Sequence, residues 1–296
     1  MKRIKLPKTT FEISQLGLGG MSLKGDKKKD QLVIDAALDH GINLLDTADL
    51  YQQGLNEDLI GESVKCKRKD VILATKVGNQ WREDGSGWDW NPKKEYILKA
   101  VEESLRRLKT DYIDLYQLHG GTLEDNLEES FEAFEILKAQ GKIVSYGISS
   151  IRPNVIRKVL DISSPATIMM QYNPLDRRPE ETVLSLVAQS DTRVLVRGAF
   201  AKGLLIDKPA ESFLDYSAEE VKAVRDIISD SGIVPEAFLI RFGLAQPAVA
   251  SLIIGASSVA QIQKMILGYN QQDAISDQLL EEITSKLPLN RYSQHR

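Results

Sequence analysis

Four polar side chains follow apolar segments at points where a sheet could bring them together. Asp46 ends one predicted strand and Tyr51 follows it in the same loop, whereas Lys76 and His119 end the next two strands. Each residue alone has an ordinary structural interpretation, as a helix cap, a surface aromatic, a rim lysine or a core imidazole. A carboxylate, a phenol, an amine and an imidazole on three successive strand ends together indicate catalysis.

Eight short apolar segments alternate with segments of helical periodicity along the chain. The apolar segments are rich in Ile, Val, Leu and Tyr, which is typical of strands that are buried on both faces of a parallel sheet. The predicted strands are Leu16–Gly20, Ile42–Leu45, Val71–Ala74, Tyr112–Leu118, Val144–Ile148, Thr167–Met170, Val194–Val196 and Leu252–Ile254. The predicted helices are 31–40, 92–109, 124–140, 153–160, 180–189, 218–229, 235–245, 259–267 and 278–286.

Eight strand–helix units predict an α/β fold, a (β/α)8 TIM barrel that forms one domain over residues 1–296. An open doubly wound sheet is the main rival, but it usually carries a G-x-G-x-x-G turn after its first strand. The segment Gly17–Ser22 has the first two glycines of that pattern and lacks the third. Two short segments, 3–7 and 9–13, predict an N-terminal β-hairpin over the amino-terminal opening of the barrel.

Composition and charge exclude several classes of protein. The 296 residues include 38 Lys+Arg and 42 Asp+Glu, and the net charge of −4 gives no basic surface for nucleic acid. No apolar run approaches the ~20 residues that cross a bilayer, and the N-terminal segment lacks the apolar stretch of a secretory signal. The single cysteine, Cys66, favours a reducing, cytoplasmic location. Since there are also only three histidines, we expect no metal site.

Five motifs make the chain resemble the aldo-keto reductases over nearly its whole length. Each motif alone is weak, but the five occur in order and in register with the predicted strands. They are GINLLDTADLY at 41–51, ATK at 74–76, the segment 108–119 ending in DLYQLH, GIS at 147–149 and QYN at 171–173. The resemblance implies a TIM barrel that reduces carbonyl compounds with NAD(P)H. It also implies a catalytic tetrad at Asp46, Tyr51, Lys76 and His119.

The residue types of this tetrad suit the proton transfer that carbonyl reduction needs. Hydride addition builds negative charge on the carbonyl oxygen, and a proton must reach that oxygen. A phenol with an ordinary pKa of about 10 is a poor acid at neutral pH, but a nearby ammonium favours the phenolate. We therefore expect Tyr51 to donate the proton, Lys76 to assist it, Asp46 to hold Lys76 and His119 to position the carbonyl oxygen.

The resemblance also implies the residues that bind the dinucleotide, although the sequence departs from the family pattern. Ser150 stands where many members have Asn, and RGAFAKG at 197–203 replaces the usual segment after the seventh strand. Backbone N–H groups of this segment can still hold a pyrophosphate, because that task needs N–H groups more than side chains. The implied cofactor residues are Gly20, Met21, Asp46, Ser149, Gln171, Arg197, Gly198, Ala199, Phe200, Ala201, Lys202, Gly203, Gly255, Ser257, Ser258 and Gln261.

The preference between NADPH and NADH depends on residues that depart from the family pattern. Ser149 and Gln171 are expected to bond the nicotinamide carboxamide, whereas Arg197 can pair with phosphate, lie against the nicotinamide or form a salt bridge at the rim. Many relatives grip the 2′-phosphate of NADP with Lys or Arg where this chain has Ser257 and Ser258. We expect NADPH as cofactor, with weaker discrimination against NADH than usual.

Three tryptophans, Trp81, Trp88 and Trp90, occupy the connection after Lys76. They either line a pocket for an apolar carbonyl substrate or pack that connection against the barrel. We expect a monomer whose partner is a small carbonyl compound, with no nucleic-acid or membrane partner.

Two other functions remain compatible with the motifs. Lys76, at the end of a barrel strand, can form a Schiff base as in an aldolase. Some relatives are cofactor-sensing regulatory subunits of potassium channels, and the lack of a long N-terminal extension disfavours that function here.

Overall fold

The computed structural model describes residues 1–296 and contains twelve strands and ten α-helices. The strands are β1 (Arg3–Lys5), β2 (Glu12–Ser14), β3 (Leu16–Gly19), β4 (Leu44–Asp46), β5 (Ile72–Val77), β6 (Asn79–Trp81), β7 (Trp88–Trp90), β8 (Ile113–Leu118), β9 (Ile143–Ser149), β10 (Thr167–Gln171), β11 (Arg193–Arg197) and β12 (Val249–Gly255). The helices are α1 (Lys27–Asp39), α2 (Leu55–Val64), α3 (Lys94–Leu108), α4 (Leu127–Ala139), α5 (Pro153–Ile162), α6 (Val183–Ala188), α7 (Ala218–Asp230), α8 (Pro235–Leu244), α9 (Val259–Gln271) and α10 (Asp277–Ser285).

Eight parallel strands close into a barrel in the order β3, β4, β5, β8, β9, β10, β11 and β12. The last of these strands pairs with the first, so the sheet has no edge, and the rival open sheet is wrong. At least one helix lies between each pair of consecutive barrel strands, as a parallel sheet requires. The predicted (β/α)8 TIM barrel is therefore confirmed. No helix combines the length and the apolar character that a bilayer crossing needs.

Alternation of side chains along the barrel strands decides which residues reach its carboxyl-terminal opening, here called the mouth. An apolar layer inside the barrel contains Leu44, Ala74, Leu115, Met169 and Leu195. Because side chains two residues apart share a face of a strand, the next inward position on each of these strands is polar. Those polar positions are Asp46, Lys76, Gln117, Gln171 and Arg197. The fold thus places a ring of polar side chains above an apolar layer.

The predicted N-terminal hairpin is present and consists of β1 and β2, with Arg3 opposite Ser14. Leu6 and Ile13 of this hairpin are fully buried and belong to the cluster that fills the barrel interior. Asn43, just before β4, accepts a hydrogen bond from the Ser14 backbone N–H at 2.7 Å. The hairpin therefore closes the amino-terminal end of the barrel and leaves the mouth open.

The observed elements differ from the predicted ones at three places. Helix α2 was missed because it buries the polar residues Asn56 and Glu57, which interrupt the apolar periodicity. The predicted helix 180–189 is a 3₁₀ helix at Arg178–Glu181 followed by α6, since Thr182 between them has a non-helical backbone with φ −151° and ψ −36°. The tryptophan-rich connection is an antiparallel hairpin of β6 and β7, in which Trp81 pairs with Trp88.

Candidate active site

A buried ion pair lies at the centre of the mouth. Asp46 is the last residue of β4 and pairs with Ala74 of β5, two residues before Lys76. The Lys76 Nζ donates a hydrogen bond of 2.7 Å to the Asp46 Oδ2, and these two side chains are 1% and 5% exposed. Burial on this scale removes the ions from water, so each depends on the other for stabilisation.

The Lys76 ammonium has an acceptor for each of its three hydrogens. Besides Asp46, the Nζ donates to the Thr47 carbonyl oxygen at 2.8 Å and to the Tyr51 hydroxyl at 3.5 Å. Burial acts to lower the pKa of Lys76, but the charge and hydrogen bond of Asp46 outweigh it and raise the pKa above the ordinary lysine value. Lys76 is therefore a fixed cation beside the phenol oxygen and has no free amine with which to form a Schiff base.

Tyr51 is held by a tight segment rather than by regular structure. It begins a 3₁₀ helix, Tyr51–Gly54, in which Gln52 and Gln53 have left-handed φ values of 51° and 56°. Such values cost about 1 kcal/mol or more for a residue with a side chain, so surrounding contacts must maintain them. The Gln52 side chain donates to the Leu23 carbonyl oxygen at 3.0 Å, and Trp81 donates to the carbonyl oxygen of Leu50 at 3.3 Å.

His119 follows β8 and faces Tyr51 across the mouth. Its backbone N–H donates to the Val77 carbonyl oxygen at 2.8 Å, which extends the sheet by one residue. The two rings are edge to face, with centroids 6.0 Å apart. Burial, together with the charges of Lys76 and Arg197, lowers the pKa of His119 to about 3. The imidazole is therefore neutral at physiological pH and carries a single N–H.

Two residues that sequence reasoning missed support the tetrad from the start of α2. Asn56 is fully buried; it accepts a hydrogen bond from the Thr47 hydroxyl at 2.7 Å and donates to the Gly20 carbonyl oxygen at 2.8 Å. Glu57 is also fully buried and accepts hydrogen bonds from the Thr75 hydroxyl at 2.6 Å and from the Arg107 guanidinium at 2.7 Å.

These bonds join the loop after β3, the ends of β4 and β5, and helix α3. The sequence carries no signal for this role, because it depends on the burial of Asn56 and Glu57, which only the packing of α2 shows. Gln117 was missed as well: it is fully buried, and its amide donates a long hydrogen bond of 3.5 Å to the Asp46 carboxylate.

On the other side of the mouth, Ser149, Gln171 and Arg197 end the successive strands β9, β10 and β11. The Gln171 amide nitrogen donates to Asp176 at 2.8 Å, and its oxygen accepts a hydrogen bond of 3.1 Å from the Arg197 guanidinium. The salt bridge at the rim that the sequence allowed for Arg197 is not formed. The sequence could not reveal this pair, because it depends on the register that places Gln171 beside Arg197.

The segment after β11 offers backbone donors. The backbone N–H groups of Gly198, Ala199 and Phe200 donate no hydrogen bond within the chain. Gly198, Ala201 and Lys202 have left-handed φ values of 66°, 45° and 59°, so the segment curls tightly as it leaves the strand. Consecutive free N–H groups in a curled backbone form a concave site that suits a phosphate group. The pyrophosphate assignment of 198–203 therefore fits the local geometry.

The N-terminus of α9 is a second place with phosphate-binding geometry. The hydroxyl of Ser258 caps the helix by accepting from the Gln261 backbone N–H at 3.3 Å. The Gln261 side-chain oxygen accepts hydrogen bonds from the Ser257 N–H at 2.8 Å and from the Ser257 hydroxyl at 3.3 Å. Lys264, the nearest cation on this helix, lies 3.6 Å from Asp207. Helix α9 itself therefore supplies no unpaired cation at Ser257.

Three other predicted cofactor positions lie at the rim. Gly20 begins a 3₁₀ helix, and a Cβ there would stand 2.3 Å from the Asn56 amide oxygen, so close packing alone requires glycine. Gly255 ends β12, and a Cβ there would stand 2.3 Å from the Ser22 hydroxyl. Met21, in contrast, is 71% exposed, so packing does not restrict the residue at this position.

Two of the three tryptophans fasten their connection to the neighbouring loops after β4 and β8. Trp81 donates to a backbone carbonyl, as described above, and the Trp90 indole donates to the Asp125 carboxylate at 3.0 Å. The Trp90 ring also covers Gly78, where a Cβ would approach it to 2.5 Å. Trp88 is 46% exposed and remains available to a ligand. A neighbouring cavity of about 410 Å³ is lined by Trp81 and by residues of α3, but by none of the tetrad.

Comparison with known proteins agrees with this geometry. The family model described as "Aldo/keto reductase family" matches residues 15–287. The uncharacterized oxidoreductase YqkF of Bacillus subtilis (strain 168) is 45% identical over 309 aligned residues, which cover 100% of both chains. The NADH-specific methylglyoxal reductase of Escherichia coli (strain K12) is 32% identical over 226 aligned residues, which cover 69% of each chain.

Solved structures agree as well. The holo form of aldo-keto reductase AKR11C1 from Bacillus halodurans superposes with a TM-score of 0.95 at 45% identity and covers 100% of this chain and 99% of that one. These matches confirm the predicted function, carbonyl reduction with a nicotinamide cofactor, and do not support the aldolase or channel-subunit alternatives. The chain belongs to the aldo/keto reductase family.

Proposed function

We propose that this chain reduces a small aldehyde or ketone to an alcohol with NADPH and that Tyr51 is the proton donor. The observation that carries the assignment is the position of the Lys76 ammonium. It is bonded to Asp46 at 2.7 Å and lies 3.5 Å from the Tyr51 hydroxyl, inside the mouth. A fixed cation at this distance stabilises the negative charge that forms on the phenol oxygen when its proton leaves.

Each residue of the tetrad has a distinct task in this proposal. The nicotinamide, when bound, supplies hydride to the carbonyl carbon. Tyr51 gives its hydroxyl proton to the carbonyl oxygen, and Lys76 stabilises the phenolate that remains. Asp46 keeps Lys76 charged and in place. His119, neutral because its pKa is about 3, donates its N–H to the carbonyl oxygen and holds that oxygen near Tyr51.

The donors on the other side of the mouth fit a dinucleotide. Ser149 and Gln171 are suited to the carboxamide, and the free N–H groups of residues 198–200 are suited to the pyrophosphate. The N-terminus of α9 would hold the adenosine end through Ser257 and Ser258. Because Gln261 occupies the Ser257 N–H and α9 supplies no unpaired arginine or lysine there, we propose NADPH with only modest preference over NADH.

The substrate that we propose is a small, partly apolar carbonyl compound. Met21 and Trp88 are large exposed side chains on the connections after β3 and β5, two of the strands that surround the mouth. Apolar side chains around a few polar groups are typical of small-molecule sites.

The test is an assay of the purified protein with a panel of aldehydes, ketones and quinones. The measured quantity is the decrease in NADPH absorbance. We expect NADPH oxidation that depends on the carbonyl compound. A parallel reaction with borohydride should trap no substrate on Lys76. Absence of NADPH oxidation with every carbonyl compound, or a trapped adduct on Lys76, would contradict the proposal.

A further inference from the structure

The guanidinium of Arg197 is a cation without a counterion at the mouth. Its only hydrogen bond joins the Nη1 to the Gln171 side-chain oxygen at 3.1 Å, and it forms no ion pair. A guanidinium has five N–H donors, so four of its hydrogens have no protein acceptor. An arginine that served only to hold β10 against β11 would be expected to bind a carboxylate. The carboxylate of Asp176 accepts hydrogen bonds from Arg178 and none from Arg197.

The position of Arg197 follows from the barrel. It comes two residues after Leu195, which belongs to the apolar layer, so its side chain leaves the strand toward the inside of the mouth. From there its charge acts on Tyr51 and Asp46, and it contributes to the lowered pKa of His119. Arg197 therefore lies one hydrogen bond from Gln171, the side chain proposed for the carboxamide, and its charge reaches the tetrad from the opposite side of the mouth.

We propose that Arg197 makes the cofactor site distinguish the oxidation states of the nicotinamide, so that reduced cofactor binds more tightly than oxidised cofactor. The inference rests on the proposed function, which places the nicotinamide beside Gln171. The nicotinamide ring is neutral in NADPH and carries a positive charge in NADP⁺. A guanidinium in this position repels only the oxidised form, and because Arg197 is exposed the repulsion is moderate.

The charge of Arg197 affects the binary complexes more than the chemical step. During hydride transfer, positive charge on the nicotinamide and negative charge on the carbonyl oxygen form together. A nearby cation repels the first charge and attracts the second, so the two effects offset each other. In the binary complex with oxidised cofactor no such anion is present to offset the repulsion. Arg197 should thus promote the exchange of oxidised for reduced cofactor between turnovers.

The experiment compares the dissociation constants of NADPH and NADP⁺ for the full chain and three variants, by calorimetry and tryptophan fluorescence. Arg197→Met removes the charge and Arg197→Lys keeps it. Arg193→Met is the matched control, since Arg193 begins the same strand at the opposite end of the barrel and bonds only backbone carbonyls there. We expect Arg197→Met to lower the ratio of the NADP⁺ to the NADPH dissociation constant by about tenfold. Arg197→Lys and Arg193→Met should leave that ratio near the wild-type value.

The possible outcomes separate this inference from its rivals. Both oxidation states carry the same phosphates, so an equal loss of affinity for both in Arg197→Met would mean that Arg197 binds phosphate, and the proposal would fail. An unchanged ratio with unchanged affinities would also overturn it. If the methionine variant does not fold, Arg197→Gln gives the same comparison and keeps a hydrogen-bond donor for Gln171. Failure of the wild type to bind either nucleotide would instead contradict the proposed function.

Discussion

The two sides of the mouth are built in different ways. On the side of β4 and β5, Asp46 and Lys76 are almost fully buried, and side-chain hydrogen bonds fix them. On the side of β11 and β12, Gly198, Lys202 and Gly255 are exposed, and the available donors are backbone N–H groups. The buried side is suited to proton transfer, which needs groups held at fixed distances. The exposed side is suited to binding phosphate, which needs N–H groups of the right orientation.

This difference explains why the buried side keeps the residues of the family pattern whereas the exposed side departs from them. A phenol, an ammonium and a carboxylate have no substitutes for their proposed tasks, so the motif residues are all present. Backbone N–H groups are supplied by any residue that can adopt the required conformation, so RGAFAKG can replace a quite different segment. Substitutions should therefore have large effects on turnover at the buried side and moderate effects on cofactor affinity at the exposed side.

Tyr51→Phe should have the largest effect. Loss of the proton donor should lower kcat by about 10³-fold, since a positioned acid contributes roughly 10²–10⁴-fold. The dissociation constant of NADPH should stay the same, because the hydroxyl contributes no proposed cofactor contact. Steady-state kinetics and a fluorescence titration measure the two quantities. Tyr112→Phe, on the outer side beneath Arg68, is the control that should leave both unchanged. Retained turnover in the Tyr51 variant would remove Tyr51 from the mechanism.

Asp46→Asn should change both the rate and its pH dependence. Burial alone lowers the pKa of Lys76, and Asp46, together with Tyr51, raises it above the ordinary value. Without that carboxylate the ammonium should lose its proton at a lower pH, so the alkaline limb of the kcat/KM profile should move to lower pH. At neutral pH we expect a loss of about 10²-fold. Profiles measured from about pH 5 to 11 test the point, because the wild-type limb lies above the ordinary lysine value of about 10.4. Identical alkaline limbs in the two proteins would contradict it.

The sequence predicts the catalytic residues on the buried side of the mouth better than it predicts the residues that support them. Asp46 and Lys76 can be located because each follows an apolar strand and the alternation of side chains turns both inward. Asn56 and Glu57 could not be assigned, since their role depends on α2 packing between β5 and α3. The curled backbone at Ala201 was also unpredictable, because a left-handed φ of 45° at an alanine has no local sequence signal.

Gly198→Ala should weaken cofactor binding with little effect on chemistry. Gly198 has a φ of 66°, and a Cβ there would contact the Gln171 side chain at 3.4 Å. The substitution should therefore displace the free N–H groups after β11 and raise the dissociation constant of NADPH by about tenfold, while kcat at saturating NADPH changes little. Gly141→Ala is the matched control, since its φ is 73° and a Cβ there would meet nothing within 4 Å. Equal effects of the two variants on NADPH affinity would show that general strain, and not the donor segment, is responsible.

The smallest effect should follow Gln261→Arg, which tests whether the absence of a cation sets the cofactor preference. In the wild type the Gln261 side chain accepts the Ser257 N–H, a donor that a 2′-phosphate could otherwise use. Arginine would release that N–H and add a guanidinium that can bind a phosphate through two hydrogen bonds. We expect the ratio of kcat/KM for NADPH to that for NADH to rise by about five- to tenfold, chiefly through the KM of NADPH. Gln263→Arg adds the same charge two residues further along α9 and should change the ratio less. If both variants raise the ratio equally, the preference depends on net positive charge near α9 and not on a defined contact at Ser257.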